Sequence, residues 1–204
     1  MGAEVGDIAA SLVGALTGGA IALAGVLWAD HLQRARERAM ERETVRGFLR
    51  AILTELETCW NRAEQTTNPV LEGLLPGAAF LTEVFIDTDF FTVYHNNSQY
   101  LGQIRDDELL AQIVATITTY KALVETYNVN TRFYLQWQES KNLEFVIQDA
   151  DLKRYYGRKA EFEYDKLCRW AMALRHDHHE LKQQIGNLLP ALRRATVAES
   201  PGKE

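Results

Sequence analysis

The chain has 204 residues, a formal net charge of -6 and two cysteines, Cys59 and Cys168. That length holds one helical domain beside an anchor, and the acidic balance argues against nucleic acid as a bulk partner, since most phosphate binders are basic. Two cysteines so far apart do not make a zinc motif and read as buried thiols in a reducing cytoplasm.

Residues 1–7 are short and acidic, with Glu4 and Asp7, and residues 8–28 carry no charge. As a helix the second stretch is roughly 31 Å long, the thickness of a bilayer's hydrocarbon core. Arg34, Arg36, Arg38, Arg42 and Arg46 follow it. The positive-inside rule therefore predicts a transmembrane helix over 8–28, with residues 1–7 as a short N-terminus on the outer, periplasmic side and the remainder in the cytoplasm. A signal peptide would open with positive charge and end on small residues, whereas Val26, Leu27 and Trp28 occupy that zone here. Inside the span, Ala10, Gly14, Gly18 and Ala22 form one row at four-residue spacing, and Ser11, Ala15 and Gly19 form another. Such rows let backbones approach closely and gain dispersion contacts that lipid cannot match, so homo-oligomers are expected.

No turn signal interrupts the chain from Trp28 to Asn68. Residues 29–66 are read as a juxtamembrane and bundle helix continuous with the span, an expected rod from 8 to 66. Arg34, Arg38, Arg42 and Arg46 repeat every four residues, with Glu37 and Glu41 placed for side-chain pairs. Leu49, Ile52, Leu53, Leu56, Trp60 and Ala63 then make an apolar stripe at helical period. Asn68-Pro69 is expected to end the rod, and Pro76-Gly77 to break the short apolar segment after it.

Residues 67–195 are expected to form a helical cytoplasmic domain. Phe80 to Phe91 reads as one or two short helices, and Asn96 to Ser98 as a turn. Asp106 or Asp107 is a candidate N-cap for a helix carrying Leu109, Leu110, Ile113, Val114, Ile117, Tyr120, Val124 and Tyr127, continuing to Gln138. A final helix starts near Asp149 or Asp151 and runs to about Arg194. Its Leu167, Ala171, Leu174, His178, Leu181, Ile185, Leu188 and Leu192 alternate steps of four and three, the seam of a helix packed along another. That helix is expected to dock on the second half of the first rod, with an intermolecular coiled coil as the alternative. Residues 196–204 are polar and expected to be a disordered tail. The fold class is all-α, an N-terminal transmembrane helix continuing into a helical bundle.

Chemistry is sparse. His176, His179 and Glu180 share a helical face at metal-ligand spacing, although a solvated face beside one packed histidine, His178, accounts for the same pattern. Arg169 and His176 satisfy the loose Arg-x(4–6)-His pattern of HEPN-type ribonucleases, in which paired helices from two subunits cleave RNA; Trp170 stands where that family carries a polar residue. Tyr127, Phe133, Tyr134 and Trp137, with Tyr155 and Tyr156, read as core, with a nucleotide pocket as the alternative. No phosphate-binding glycine loop, nucleophile elbow or HExxH is present, and no cofactor is expected.

The glycine-rich span GALTGGAIALAGVLW, the Arg/Glu-rich helix after it, and the stretch from Phe90 to Tyr127 resemble uncharacterised bacterial single-pass membrane proteins. The layout is also similar to the small membrane accessory proteins of type VI CRISPR systems, which join a membrane helix to a HEPN-like helical domain and assemble as a ring-shaped pore. That resemblance implies a non-enzymatic membrane effector or pore of antiviral defence, with Gly14, Gly18 and Ala22 as helix contacts and the Arg169–His176 pair as structural. A scaffold that recruits a cytoplasmic protein partner to the bilayer is the alternative, and a HEPN-like ribonuclease a third.

Overall fold

The computed structural model describes residues 2–86 and 90–197, with side chains described from Gly25 onward apart from Leu27. The described residues form an all-α fold of helices α1 (Gly2–Gln65), α2 (Thr67–Glu72), α3 (Thr92–Asn96), α4 (Asp107–Val146) and α5 (Ala150–Val197), with a 3-10 helix over Ser98–Gln103 before α4. The chain divides into two units, Met1–Arg46 and Gly47–Glu204.

The first unit is the N-terminal part of α1. Among the described residues no helix is long and apolar enough to cross a membrane; apart from Gly25, Val26 and Trp28, the expected span and both its small-residue rows lie outside the residues whose side chains are described. Beyond it the surface is solvated. Arg34 pairs with Asp30 at 2.8 Å, one turn back, and Glu37 accepts from Gln33 at 3.0 Å. The local pairs thus differ from the expected Arg34–Glu37 match: Asp30 lies on the N-terminal side of the arginine, the orientation that the helix dipole favours. Arg46 meets Glu43 at 3.0 Å.

The second unit packs the C-terminal part of α1 with α4 and α5. Phe48, Leu49, Ile52, Leu56 and Trp60 are buried on α1, whereas Leu53 and Ala63 are only half-buried. All eight seam positions of α5, Leu167 to Leu192, are buried. The seam docks inside its own subunit, along α4 as well as on the expected second half of α1, where Trp60 stacks on His178 with ring centroids 5.9 Å apart. Pro190 sits inside α5 without ending it. The carbonyl four residues back, which its ring displaces, belongs to exposed Gly186 and can turn to water.

Three boundaries differ from the pattern-based expectation. The first helix ends at Gln65, and Asn68-Pro69 lies in the first turn of α2. A proline there loses no helical hydrogen bond, because the first N–H groups of a helix have no partner within it. Pro76-Gly77 does break the chain: Gly77 has φ +79, and Ala78 N–H donates to Leu75 C=O at 3.1 Å. This is a type II turn, whose third residue must adopt the left-handed region. Finally, α4 runs eight residues past Gln138, and α5 includes Thr196 and Val197, leaving 198–204 of the expected tail outside the described residues. Asp106 caps α4 by accepting from Leu109 N–H at 3.0 Å, and Asp149 does the same for α5 toward Asp151 and Leu152.

The expected helices over Phe80 to Phe91 are not formed in its described residues. The segment is held along α4 by side chains. Asn130 Nδ2 donates to Phe80 C=O at 2.9 Å; Thr131 Oγ1 accepts from Val84 N–H at 3.0 Å and donates to Val84 C=O at 2.8 Å. Asn128 pairs with both main-chain groups of Ile86, at 3.4 and 3.5 Å. A helix would need those same main-chain groups for itself.

Candidate functional site

The extended segment and the C-terminal end of α1 enclose a groove of about 490 Å³. Cys59, Arg62, Ala63, Thr66 and Thr67 form one wall, residues 82–86 the other, and Phe90 and Tyr120 close it. Because Val84 and Ile86 spend their main-chain groups on α4, the alternation of extended backbone turns those of Glu83 and Phe85 the opposite way. Phe85 is 72% exposed.

The groove's titratable walls are chemically quiet. Burial first, and then the Glu55 carboxylate, pushes the Cys59 thiol up, so it stays protonated near neutral pH. Burial also raises the Tyr120 phenol, which donates to Cys59 C=O at 3.1 Å. Neighbouring Tyr127 is pushed up to about 12 by burial, with the Thr67 hydroxyl opposing. The site presents apolar surface, threonine hydroxyls and Arg62 at its wall, which suits binding.

Glu55 shapes the region from behind. Its carboxylate accepts from the N–H groups of Val93 and Tyr94 at 3.0 and 3.4 Å and from the Thr92 hydroxyl at 3.3 Å. It therefore caps α3 from another helix, where a negative charge meets unpaired donors. Phe91, immediately before α3, is fully packed with φ 62. Holding a bulky residue in that region requires surrounding contacts to over-determine it; here the Phe90 and Tyr120 rings, at 4.9 and 5.1 Å, and the cap supply them.

The residues singled out in the sequence lie elsewhere. His176, His179 and Glu180 are exposed on α5. His179 is within 2.9 Å of Gln183 Nε2, and Glu180 accepts from Gln184 at 3.0 Å. No group of three or more His, Cys, Asp or Glu able to hold a metal ion occurs among the described residues. His178, by contrast, is buried; burial lowers its pKa, with Lys182 and His179 adding to the shift and Glu72 opposing it. Its neighbours Glu72 and Lys182 form an ion pair at 2.6 Å.

Arg169 and His176 stand exposed on α5, while Trp170 turns inward to meet Phe133 at 5.9 Å. That inward contact explains an aromatic residue beside the arginine. Of the six aromatics read as core, Tyr127 is buried, Phe133, Tyr134, Trp137 and Tyr156 are half-buried, and Tyr155 is 59% exposed. Tyr155 lies on the outward side of α5, away from the buried seam. Arg38 and Arg42 are exposed.

The groove and the Glu55 cap had no motif to announce them, since both join residues far apart in the chain. The Asn128-x-Asn130-Thr131 cluster on an otherwise apolar helix was the one available signal. Buried polar side chains on such a face need partners, and an extended backbone is a ready source of them. No protein-family model matches the chain, and neither does any characterised protein or solved structure.

Proposed function

We propose that the chain is a single-pass inner-membrane protein, N-terminus outside and helical domain in the cytoplasm, which self-associates and acts as a membrane effector or pore of antiviral defence. The observation that carries the reading is the charge-free stretch 8–28 with five arginines behind it, lying on the same helix α1 that supplies Phe48 to Trp60 to the bundle core. An uncharged stretch of that length satisfies its own backbone hydrogen bonds as a helix, which lipid demands. Its rows Ala10, Gly14, Gly18, Ala22 and Ser11, Ala15, Gly19 are the surface expected to bring copies together.

The test is expression of the full chain in a bacterial host carrying a voltage-sensitive dye. Depolarisation is expected with the full chain, and neither with a fragment starting at Arg34 nor with Gly14→Leu/Gly18→Leu. Recovery of the full chain in the soluble fraction after membrane pelleting sinks the proposal altogether. Membrane recovery without depolarisation favours a second reading, a scaffold that recruits a cytoplasmic protein. The groove beside Glu83 and Phe85 supports that alternative, because it sets an extended backbone segment next to apolar surface.

A further inference from the structure

The outward flank of α5 carries a second stripe in addition to its buried seam. Tyr155, Phe162, Arg169 and His176 recur at intervals of seven and so fall in one row along the helix. The row is roughly 30 Å long. Leu152 and Met172 lie at its margins; they are 52% and 58% exposed, and Phe162 and Tyr155 are 57% and 59% exposed. Single exposed apolar residues are ordinary, but an aligned series rimmed by polar groups marks a surface that meets something.

The charge on the rim says what. Arg158, Lys159 and Lys166 flank the row and Arg169 lies within it, against Asp165, with Glu161 at its edge. The Lys166 ammonium sits 4.4 Å from the centroid of the Phe162 ring. A chain whose net charge is -6 thus concentrates cations around the aromatic and aliphatic residues of one helical face. Aromatic and aliphatic side chains seated at the headgroup boundary, with Lys and Arg reaching phosphates, are how an amphipathic helix lies on lipid.

We propose that this face of α5, from Leu152 to His176, is a docking surface for an anionic membrane. Phe162, Tyr155 and Met172 enter the headgroup layer, and Lys159, Lys166 and Arg169 bind its phosphates. The contact is separate from the span, and it holds whether or not residues 8–28 cross a bilayer.

The experiment uses the full chain with Cys59→Ser, Cys168→Ser and His176→Cys, the new thiol carrying a nitroxide. The protein is reconstituted in vesicles of phosphatidylcholine alone or mixed with phosphatidylglycerol. In the mixed vesicles the nitroxide should become shielded from an aqueous nickel complex and accessible to oxygen; in phosphatidylcholine alone it should stay aqueous. Lys159→Gln/Lys166→Gln/Arg169→Gln, checked for retained helix content, should weaken this docking by about a hundredfold. A nitroxide that stays aqueous in both vesicles overturns the proposal. So does shielding that follows protein concentration rather than lipid charge, which would mean a second copy covers the face. Protease protection of the N-terminus, read on the same vesicles, reports the span independently, so failure of either idea leaves the other distinguishable.

Discussion

The two halves of α5 follow one heptad pattern and meet different surroundings. From Leu174 to Leu192 the seam is buried, and that half meets α1 through Trp60–His178 and Glu57–Arg193. From Tyr155 to Trp170 the ring contacts to other elements are with α4 alone: Phe133 with Trp170 and Trp137 with Tyr164, at 5.9 and 6.0 Å. With one neighbour instead of two, a helix buries a narrower strip. The N-terminal half accordingly leaves Tyr164, seven residues before the buried Ala171, 37% exposed, and it buries a carboxylate, Glu163, whereas Leu174, Leu181 and Leu188 of the other half are fully buried. Equal periodicity does not mean equal burial; the number of neighbouring helices decides.

The largest expected difference between the halves is in side-chain truncation. Leu188 is fully buried, and Leu188→Ala should destabilise by about 2–5 kcal/mol through lost transfer energy and the cavity left behind. Phe162→Ala on the exposed flank should change stability by about 0.5 kcal/mol or less. Urea denaturation of both variants checks this, and equal losses would show that the flank is covered in solution.

Glu163 should reverse the sign. Its side chain is buried, its nearest cation is Lys159 at 3.8 Å, and Oε2 has no hydrogen-bond partner. A buried charge so weakly compensated is a liability for stability. Glu163→Leu should therefore raise stability by about 1–3 kcal/mol, read as a higher urea midpoint. A loss of stability would mean that the carboxylate meets a partner through water or another chain.

A smaller effect belongs to the extended segment. Thr131→Val keeps the side-chain shape and removes the hydroxyl that both accepts from and donates to Val84. The expected loss is about 1–2 kcal/mol, the penalty for leaving buried main-chain groups unpaired. Amide exchange at Val84 should quicken more than at Leu188. Uniform quickening would show that the segment has no separate stability.

What could be read from the sequence follows the same physics. The α4 and α5 patterns were legible because their burial repeats along the chain, and Leu167 to Leu192 matched at every position. Val114, read as core, is 39% exposed, whereas Thr116 is buried: hydropathy and period disagreed there, and the packing followed geometry. The aromatic-rich stretch from Phe80 to Phe91 reads as short helices but is not helical in its described residues, since only a contact with Asn128, Asn130 and Thr131 shows that its backbone is already engaged. The groove shares that origin. A site built by one distant pairing leaves no periodic trace, whereas the row of Tyr155, Phe162, Arg169 and His176 does.

His178 offers the smallest effect and the finest contrast between a packed histidine and its solvated neighbours His176 and His179. Its pKa is lowered chiefly by burial, with Lys182 and His179 adding to the shift and the Glu72 carboxylate opposing it. Its folded pKa thus lies below the ordinary unfolded value of about 6.5. Between the two values the unfolded chain binds more protons than the folded one. The stability from the neutral ring is fully present above about pH 6.5 and is lost as pH falls through the lowered folded value. Glu72, whose carboxyl the Lys182 hydrogen bond lowers, acts separately, in the more acidic carboxylate range. The unfolding midpoint of the native chain should therefore drop from pH 7.5 to pH 5.5. His178→Leu, which keeps an apolar side chain against Trp60, should flatten that drop, and His176→Leu should leave it in place. If His176→Leu flattened the profile instead, the titrating ring would be on the exposed face, and the packed histidine would have no part in the acid response.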